Sequence, residues 1–266
     1  MFCTWCTCIS FFPAQYNILK KSCMSLISNC QQLIQAYKEW KLWNMTMPED
    51  VHPIFATDEE RLVYFTLPMA LNYQRNSYAL REAATKTYND TETKRVFDIK
   101  KSATASREQL LQALTKYKLA LQPNKHIATW STIAKTIDAN RSTVEWLLVA
   151  TTKDFLQLQK FLQITYKKWF PYLSWPKIFH YRSYILWEYC GMQLSHKQYI
   201  EIAPDTHVIQ CSVKLWILTE TEAEKLSREQ ISQRWRDALE GSGIDPIDMH
   251  SPLWFWSRNN FQYKLY

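Results

Sequence analysis

Glycine is nearly missing. The chain has 266 residues and 3 glycines, at Gly191, Gly241 and Gly243, where average usage of about 7% predicts roughly 19. Helix ends and tight turns need residues that accept positive φ, and glycine does so at the lowest steric cost. Either Asn and Asp make the turns here, or another residue type stands where glycine belongs. Tryptophan, ordinarily scarce, occurs 12 times. Membrane signals are missing as well. There is no apolar run of the roughly 18 residues a spanning helix needs, and FCTWCTCISFF near the N-terminus lacks the basic leader of a signal peptide. These absences point to a soluble, cytoplasmic chain, nucleoid-associated in a bacterium, with no membrane partner.

A disulfide framework is also lacking. Of the 7 cysteines, Cys3, Cys6 and Cys8 crowd the N-terminus, and Cys23, Cys30, Cys190 and Cys211 are scattered. That distribution suits free thiols in a reducing compartment. Cys3-x-x-Cys6-x-Cys8 has no second Cys or His pair at a ligand spacing, so no metal site is assigned to it. No stretch alternates with period two between turn dipeptides, so nothing argues for a sheet.

What is present is a composition that folds. Apolar residues are 47% and aromatics 15%, enough for one large domain or two small lobes, expected to be monomeric. The net charge of +7 favours a polyanionic partner; a mildly basic soluble protein without one is the plain alternative. The first 23 residues read unlike the rest. Residues 1–48 are taken as an N-terminal extension, with Met24 or Met45 as alternative starts, and residues 49–266 as the domain.

That domain reads as helical almost throughout. Thr57-Asp58-Glu59-Glu60, Ser106-Arg107-Glu108-Gln109 and Ser227-Arg228-Glu229-Gln230 have capping-box spacing. The first opens a helix through Phe65, with Pro68 a kink or restart. Asn76 can cap a helix to about Tyr88. Leu110, Leu114, Tyr117 and Leu121 share one face, as do Phe155, Leu158, Phe161 and Leu162 on a helix ending near Lys168. Ile127, Trp130 and Ile133 mark a further helix, as do Val144, Leu147 and Leu148. Gly241 is placed as a stop after Ile231, Trp235 and Leu239. Residues 90–105 are polar and read as a surface loop.

Three short elements carry more than packing. They are LNYQRNSY around Gln74, FPYLSWPKI around Trp175, and APDTH around Asp205. In this order, over roughly residues 58–218, they resemble the helix-hairpin-helix DNA glycosylases of the endonuclease III superfamily. There, an early segment like LLSAQATD supplies a glutamine that enters the duplex, and Gln74 matches it. A hairpin of the form LPGVG follows between two helices, and Leu173–Pro176 (LSWP) matches it. A helix opened by VDTH then supplies the catalytic aspartate, and Asp205 matches it, followed by Thr206 and His207.

The resemblance implies an all-α fold of two helical lobes with a cleft between them, the hairpin at 171–190 and the catalytic helix at 204–216. It implies a base-excision enzyme acting on duplex DNA. The base is rotated out of the stack and the hole is plugged by Gln74, helped by Arg75 or Asn76. Asp205 stabilises positive charge on the sugar and can activate a water; its alternative role is an ordinary helix cap. Backbone N–H groups of the hairpin hold phosphates, so Ser174, Trp175, Lys177, Lys168 and His207 are candidate DNA contacts. A monovalent cation at the hairpin is the one cofactor implied. The iron–sulfur cluster of some relatives has no ligands, because no cysteine follows Cys211.

Bifunctional relatives carry a lysine after the hairpin that forms a Schiff base. Here the matching position falls near Phe179, and Lys177, the only lysine of the hairpin region after Trp175, is the candidate catalytic lysine if the hairpin register differs, with phosphate or solvent as its alternative contact. That favours a water-using monofunctional glycosylase over a lyase. Trp175 departs most from the pattern, since a large side chain blocks a phosphate. Some bacterial codes read UGA as glycine and others as tryptophan. Trp169, Trp175 and Trp216 are therefore expected to be recoded glycines, with a real tryptophan in a diverged hairpin as the alternative. Near the C-terminus, Trp254 or Trp256 could stack on a base with Arg258 on phosphate, or a final helix could bury its aromatics. Lys167 and Lys197 could line the DNA path. The runner-up function is a catalytically inactive DNA-binding protein. A helical protein in which PDTH is coincidental is the third reading.

Overall fold

A computed structural model describes residues 13–72 and 75–266, with side chains from Ser25 onward. Among the described residues no strand forms, and the chain is all-α. The helices are α1 (Pro13–Lys38), α2 (Asp58–Thr66), α3 (Ser77–Asn89), α4 (Ile99–Thr104), α5 (Arg107–Lys116), α6 (Pro123–Asp138) and α7 (Glu145–Ala150). They continue as α8 (Phe155–Lys160), α9 (Pro176–Cys190), α10 (Thr206–Lys214), α11 (Glu220–Lys225), α12 (Arg228–Leu239) and α13 (His250–Arg258). No helix among the described residues is long and apolar enough to cross a membrane.

The starts of these helices follow from side-chain capping. An oxygen on the residue before the helix accepts an N–H that the helix cannot satisfy internally. Ser106 and Ser227 form complete capping boxes. A further one forms at Thr219, with Glu222 reaching back to its backbone N–H. Thr57 accepts from Glu60 N at 3.1 Å, but the Glu60 carboxylate reaches back one residue further, to Ala56 N at 3.1 Å. Ser227→Ala is expected to lower stability by about 1 kcal/mol, and Ser227→Asp to leave it near the parent value. Urea denaturation of both variants measures this.

Residues 90–105 are not a loop. A 3-10 turn at Lys94–Phe97 leads into α4, with Val96, Phe97, Ile99 and Ala103 buried. The polar residues mask a short apolar face, and Asp98 caps α4 by accepting from Lys101 N at 3.0 Å. Pro68 restarts the chain as a 3-10 turn, Pro68–Leu71, directly after α2. Gly241 takes a φ of 71° after α12 and ends it.

The chain divides into two compact units that differ from the expected boundary at residue 49. One is Thr46–His196. The other joins the described residues up to Met45 with Lys197–Tyr266. The stretch taken as an extension therefore belongs to a core: Cys30, Leu33, Ala36 and Leu42 are buried. Tyr37 stacks on Phe255 of α13 at 6.0 Å, which ties the two ends of the chain together.

The unit of Thr46–His196 packs α4 on α6 and α2 on α9. Its core holds an ion pair. Arg81 Nη2 lies 3.1 Å from Glu49 Oε1, both side chains being 1% exposed. Tyr181 donates to Glu49 Oε2 at 2.9 Å, and the Arg81 guanidinium sits 5.1 Å from the Phe65 ring centroid. Burial, and then the neighbouring Glu49 charge, push the Tyr181 hydroxyl well above its ordinary value. Arg182 is fully buried and donates to Thr66 Oγ1 at 3.2 Å from Nη2. Burial pulls it down to about 10.

Candidate functional site

The candidate catalytic residue lies in the unit containing α10. Asp205 is the N-cap of that helix, and its Oδ1 accepts from Val208 N at 3.0 Å. The side chain is half-buried, and Oδ2 has no hydrogen-bond partner among the described residues. One oxygen thus fixes the carboxylate while the other can face a reacting group. The approach to Asp205 is held by α12, which the sequence gives no local sign of. The Arg228 guanidinium donates to Pro204 O, Ser232 Oγ donates to Ile202 O at 3.0 Å, and Arg236 pairs with Glu201 at 2.9 Å. These three residues lie one turn apart along α12, so one helix face holds three of the four residues ahead of the cap.

His207 lies beside this cap. Its Nδ1 is 3.1 Å from Ser257 Oγ, and Ser257 donates to Gln210 Oε1 at 2.6 Å. The single hydroxyl proton is committed to Gln210, so His207 Nδ1 carries the proton in its own bond. Nε2 takes no part in that bond. The His207 ring meets Trp254 edge-on at 5.5 Å, and Arg258 lies 4.9 Å from the Trp254 ring centroid. Trp256 is buried and donates to Tyr263 O at 2.8 Å, so it locks α13 into the core and offers no face to a base. Lys197 is held by Asp248 at 2.5 Å and Asp245 at 3.6 Å.

The second candidate region lies in the unit of Thr46–His196. After α8 the chain makes a π-helical turn at Phe161–Thr165 and a 3-10 turn at Lys167–Trp169. It then reverses through residues 170–175 into α9. The expected hairpin position holds a reversal that leads into α9, preceded by these two turns and not directly by an α-helix, since α8 ends at Lys160. Its left-handed residue is Tyr172, with φ 63°, and not Trp175, whose φ of −74° and ψ of 135° any residue adopts. The expectation that Trp175 stands at a glycine position is therefore not supported by the backbone there. Trp169 is likewise absent from the left-handed residues, whereas Trp216 adopts φ 62°.

The tip of this reversal is basic and aromatic. Lys167, Lys168, Trp169, Trp175 and Lys177 are all exposed. Lys168 Nζ lies 4.7 Å from the Trp169 ring centroid, and Trp175 packs on Tyr172 at 4.7 Å. Trp175 stands at the N-cap of α9 with no side-chain bond to the helix start, and Pro176 follows at the first helical position. The N–H groups of Lys177 and Ile178 are consequently left uncapped at a positive helix end.

Other expected DNA contacts do not fit. Ser174 is 4% exposed and its N–H donates to Phe170 O at 3.0 Å, so its side chain cannot reach a phosphate. Arg75 donates to Leu119 O at 2.7 Å and Lys118 O at 2.8 Å, closing a loop in place of filling a duplex; burial lowers its affinity for a proton. Asn76 caps α3 by accepting from Ala79 N at 3.1 Å. Gln74 lies outside the described residues, as do Cys3, Cys6 and Cys8. The carbonyls of Phe170, Pro171 and Tyr172 already accept from Ser174, Leu173 and Trp175. With that set engaged inside the turn, nothing assigns a cation to it.

No family model matches this chain, and neither a curated protein nor a solved structure matches it.

Proposed function

We propose that this chain excises a damaged or mismatched base from duplex DNA by hydrolysis of the N-glycosidic bond. The observation that carries this is Asp205, a carboxylate with one oxygen fixed by its own helix and the other unpartnered. Cleavage of a glycosidic bond builds positive charge on the sugar, and a fixed carboxylate stabilises that charge without reorganising. The three α12 contacts to the segment ahead of Asp205 supply the rigidity such a group needs. His207, whose Nε2 takes no part in the Ser257 bond, can order an attacking water beside it. Lys177 stands exposed in the first turn of α9, two residues short of the position where bifunctional relatives carry their lysine, so hydrolysis by water is preferred to a Schiff base. The enzyme is expected to release base from a lesion-bearing duplex and leave an intact abasic strand, with no protein–DNA adduct after borohydride. A borohydride-trapped adduct would transfer the reading to a lyase.

The uncapped start of α9 favours a second reading, a protein that holds DNA without cutting it. N–H groups at a helix N-terminus together with Lys167, Lys168 and Lys177 suit phosphate contacts that ignore sequence. In both readings the triple variant Lys167→Ala, Lys168→Ala, Lys177→Ala is expected to bind duplex more weakly. Its slope of log affinity against log salt should fall by about one unit per lost contact. Fluorescence anisotropy across a salt series measures this, and an unchanged slope removes this surface from the interface.

A further inference from the structure

The tryptophans fall into two kinds. Trp130 and Trp235 are fully buried, and their indole N–H groups donate to Ser102 Oγ at 2.9 Å and Ser212 Oγ at 2.8 Å. They are large core residues with a satisfied polar atom, as tryptophan usually is. Trp40, Trp43 and Trp216 are the opposite, with side chains 72%, 63% and 90% exposed. Their φ angles are 57°, 60° and 62°, in the left-handed region where a bulky side chain is an outlier.

Two of them close helices by the same device. After α1, Trp40 N donates to Tyr37 O at 3.0 Å and Lys41 N to Ala36 O at 2.8 Å. After α10, Trp216 N donates to Val213 O at 3.1 Å and Ile217 N to Ser212 O at 2.9 Å. Each pair is a Schellman motif, and the tryptophan occupies the residue that is most often glycine. Asn260, a common second choice, and Thr152 take the same place after other helices. The left-handed position is therefore not closed to side chains, but its use by aromatics is uneven. Among the described residues it takes 3 of 11 tryptophans against 1 of 9 phenylalanines (Phe261) and 1 of 14 tyrosines (Tyr172). Aromatic packing explains neither the bias nor the exposure; a glycine requirement explains both, together with the shortage of glycine.

We infer that Trp40, Trp43 and Trp216 are glycines in the native protein, each encoded by UGA and inserted by a glycine-charged tRNA, while Trp130 and Trp235 are true tryptophans encoded by UGG. The code reading rests on the backbone at these three positions and is independent of the DNA-excision reading. Peptide mass spectrometry of the protein from its own cells tests it directly. The expected result is glycine at 40, 43 and 216 and tryptophan at 130 and 235, with UGA and UGG at the corresponding codons. Tryptophan in the native peptide at any of the three, or UGG there, overturns it. A second measurement uses recombinant protein. Trp40→Gly, Trp43→Gly and Trp216→Gly together should raise the melting temperature by roughly 5 °C or more, since each relieves a left-handed side chain in the same unit. An unchanged or lower melting temperature would contradict the glycine requirement.

Discussion

Replacing Asp205 with asparagine is expected to leave the chain folded and to lower base release by about 100- to 1000-fold. The two halves of that result come from two different oxygens. Asparagine keeps an acceptor for Val208 N and caps helices as well as aspartate does, so α10 should start where it does now. What is lost is the negative charge on the unpartnered oxygen. Asp205→Ala separates the roles further. It removes the cap as well and should cost about 1 kcal/mol of stability beyond the loss of activity. Urea denaturation of both variants, paired with single-turnover assays on lesion duplexes, provides the comparison. If Asp205→Asn retains full activity, the carboxylate is a cap and nothing more.

Arg81→Met is expected to destabilise the unit of Thr46–His196 by about 3–5 kcal/mol, a large part of the 5–15 kcal/mol that holds a typical domain together. The cost is the charge left behind. Glu49 is 1% exposed, and without Arg81 only Tyr181 would donate to it among the described residues. Glu49→Gln leaves Arg81 in the same position, buried beneath Phe65 with no counter-charge. The double change Arg81→Met, Glu49→Leu removes both ions and should recover most of the loss, because apolar replacements of a buried pair are often neutral or better. A double-mutant cycle in urea gives the coupling energy. Single variants costing less than about 1 kcal/mol would mean that water reaches the pair.

These two sites differ in how far the sequence discloses them. Capping is local, so Thr57, Asn76, Ser106, Ser227 and Asp205 were all legible from spacing. The Glu49–Arg81–Tyr181 cluster was not, because its members are 32 and 132 positions apart and no period joins them. Arg75 looked free in the sequence for the same reason. Its partners are backbone carbonyls 43 and 44 residues downstream, and a carbonyl has no sequence signature. Residues 90–105 read as a loop because their four buried apolar side chains are diluted among charges, too few to give a clear helical period. The union of the start of the chain with its last 70 residues lies equally beyond local pattern.

The tryptophans show both outcomes. The glycine shortage pointed to misplaced tryptophans, and Trp216 does take a glycine conformation. Trp175 was chosen by its place in a motif, yet the reversal puts its left-handed residue three positions earlier, at Tyr172. A motif match fixes register only to within the length of the turn it describes, whereas φ at each residue depends on how that turn closes.

The most direct test of the proposed chemistry is release of free base from a panel of duplexes, each carrying one damaged or mismatched base, with alkali to reveal abasic sites. At least one duplex should yield free base and an alkali-labile strand at the lesion, and the yield should disappear with Asp205→Asn while duplex binding persists. Free base from no duplex, with salt-dependent binding intact, would contradict excision and leave a DNA-holding protein.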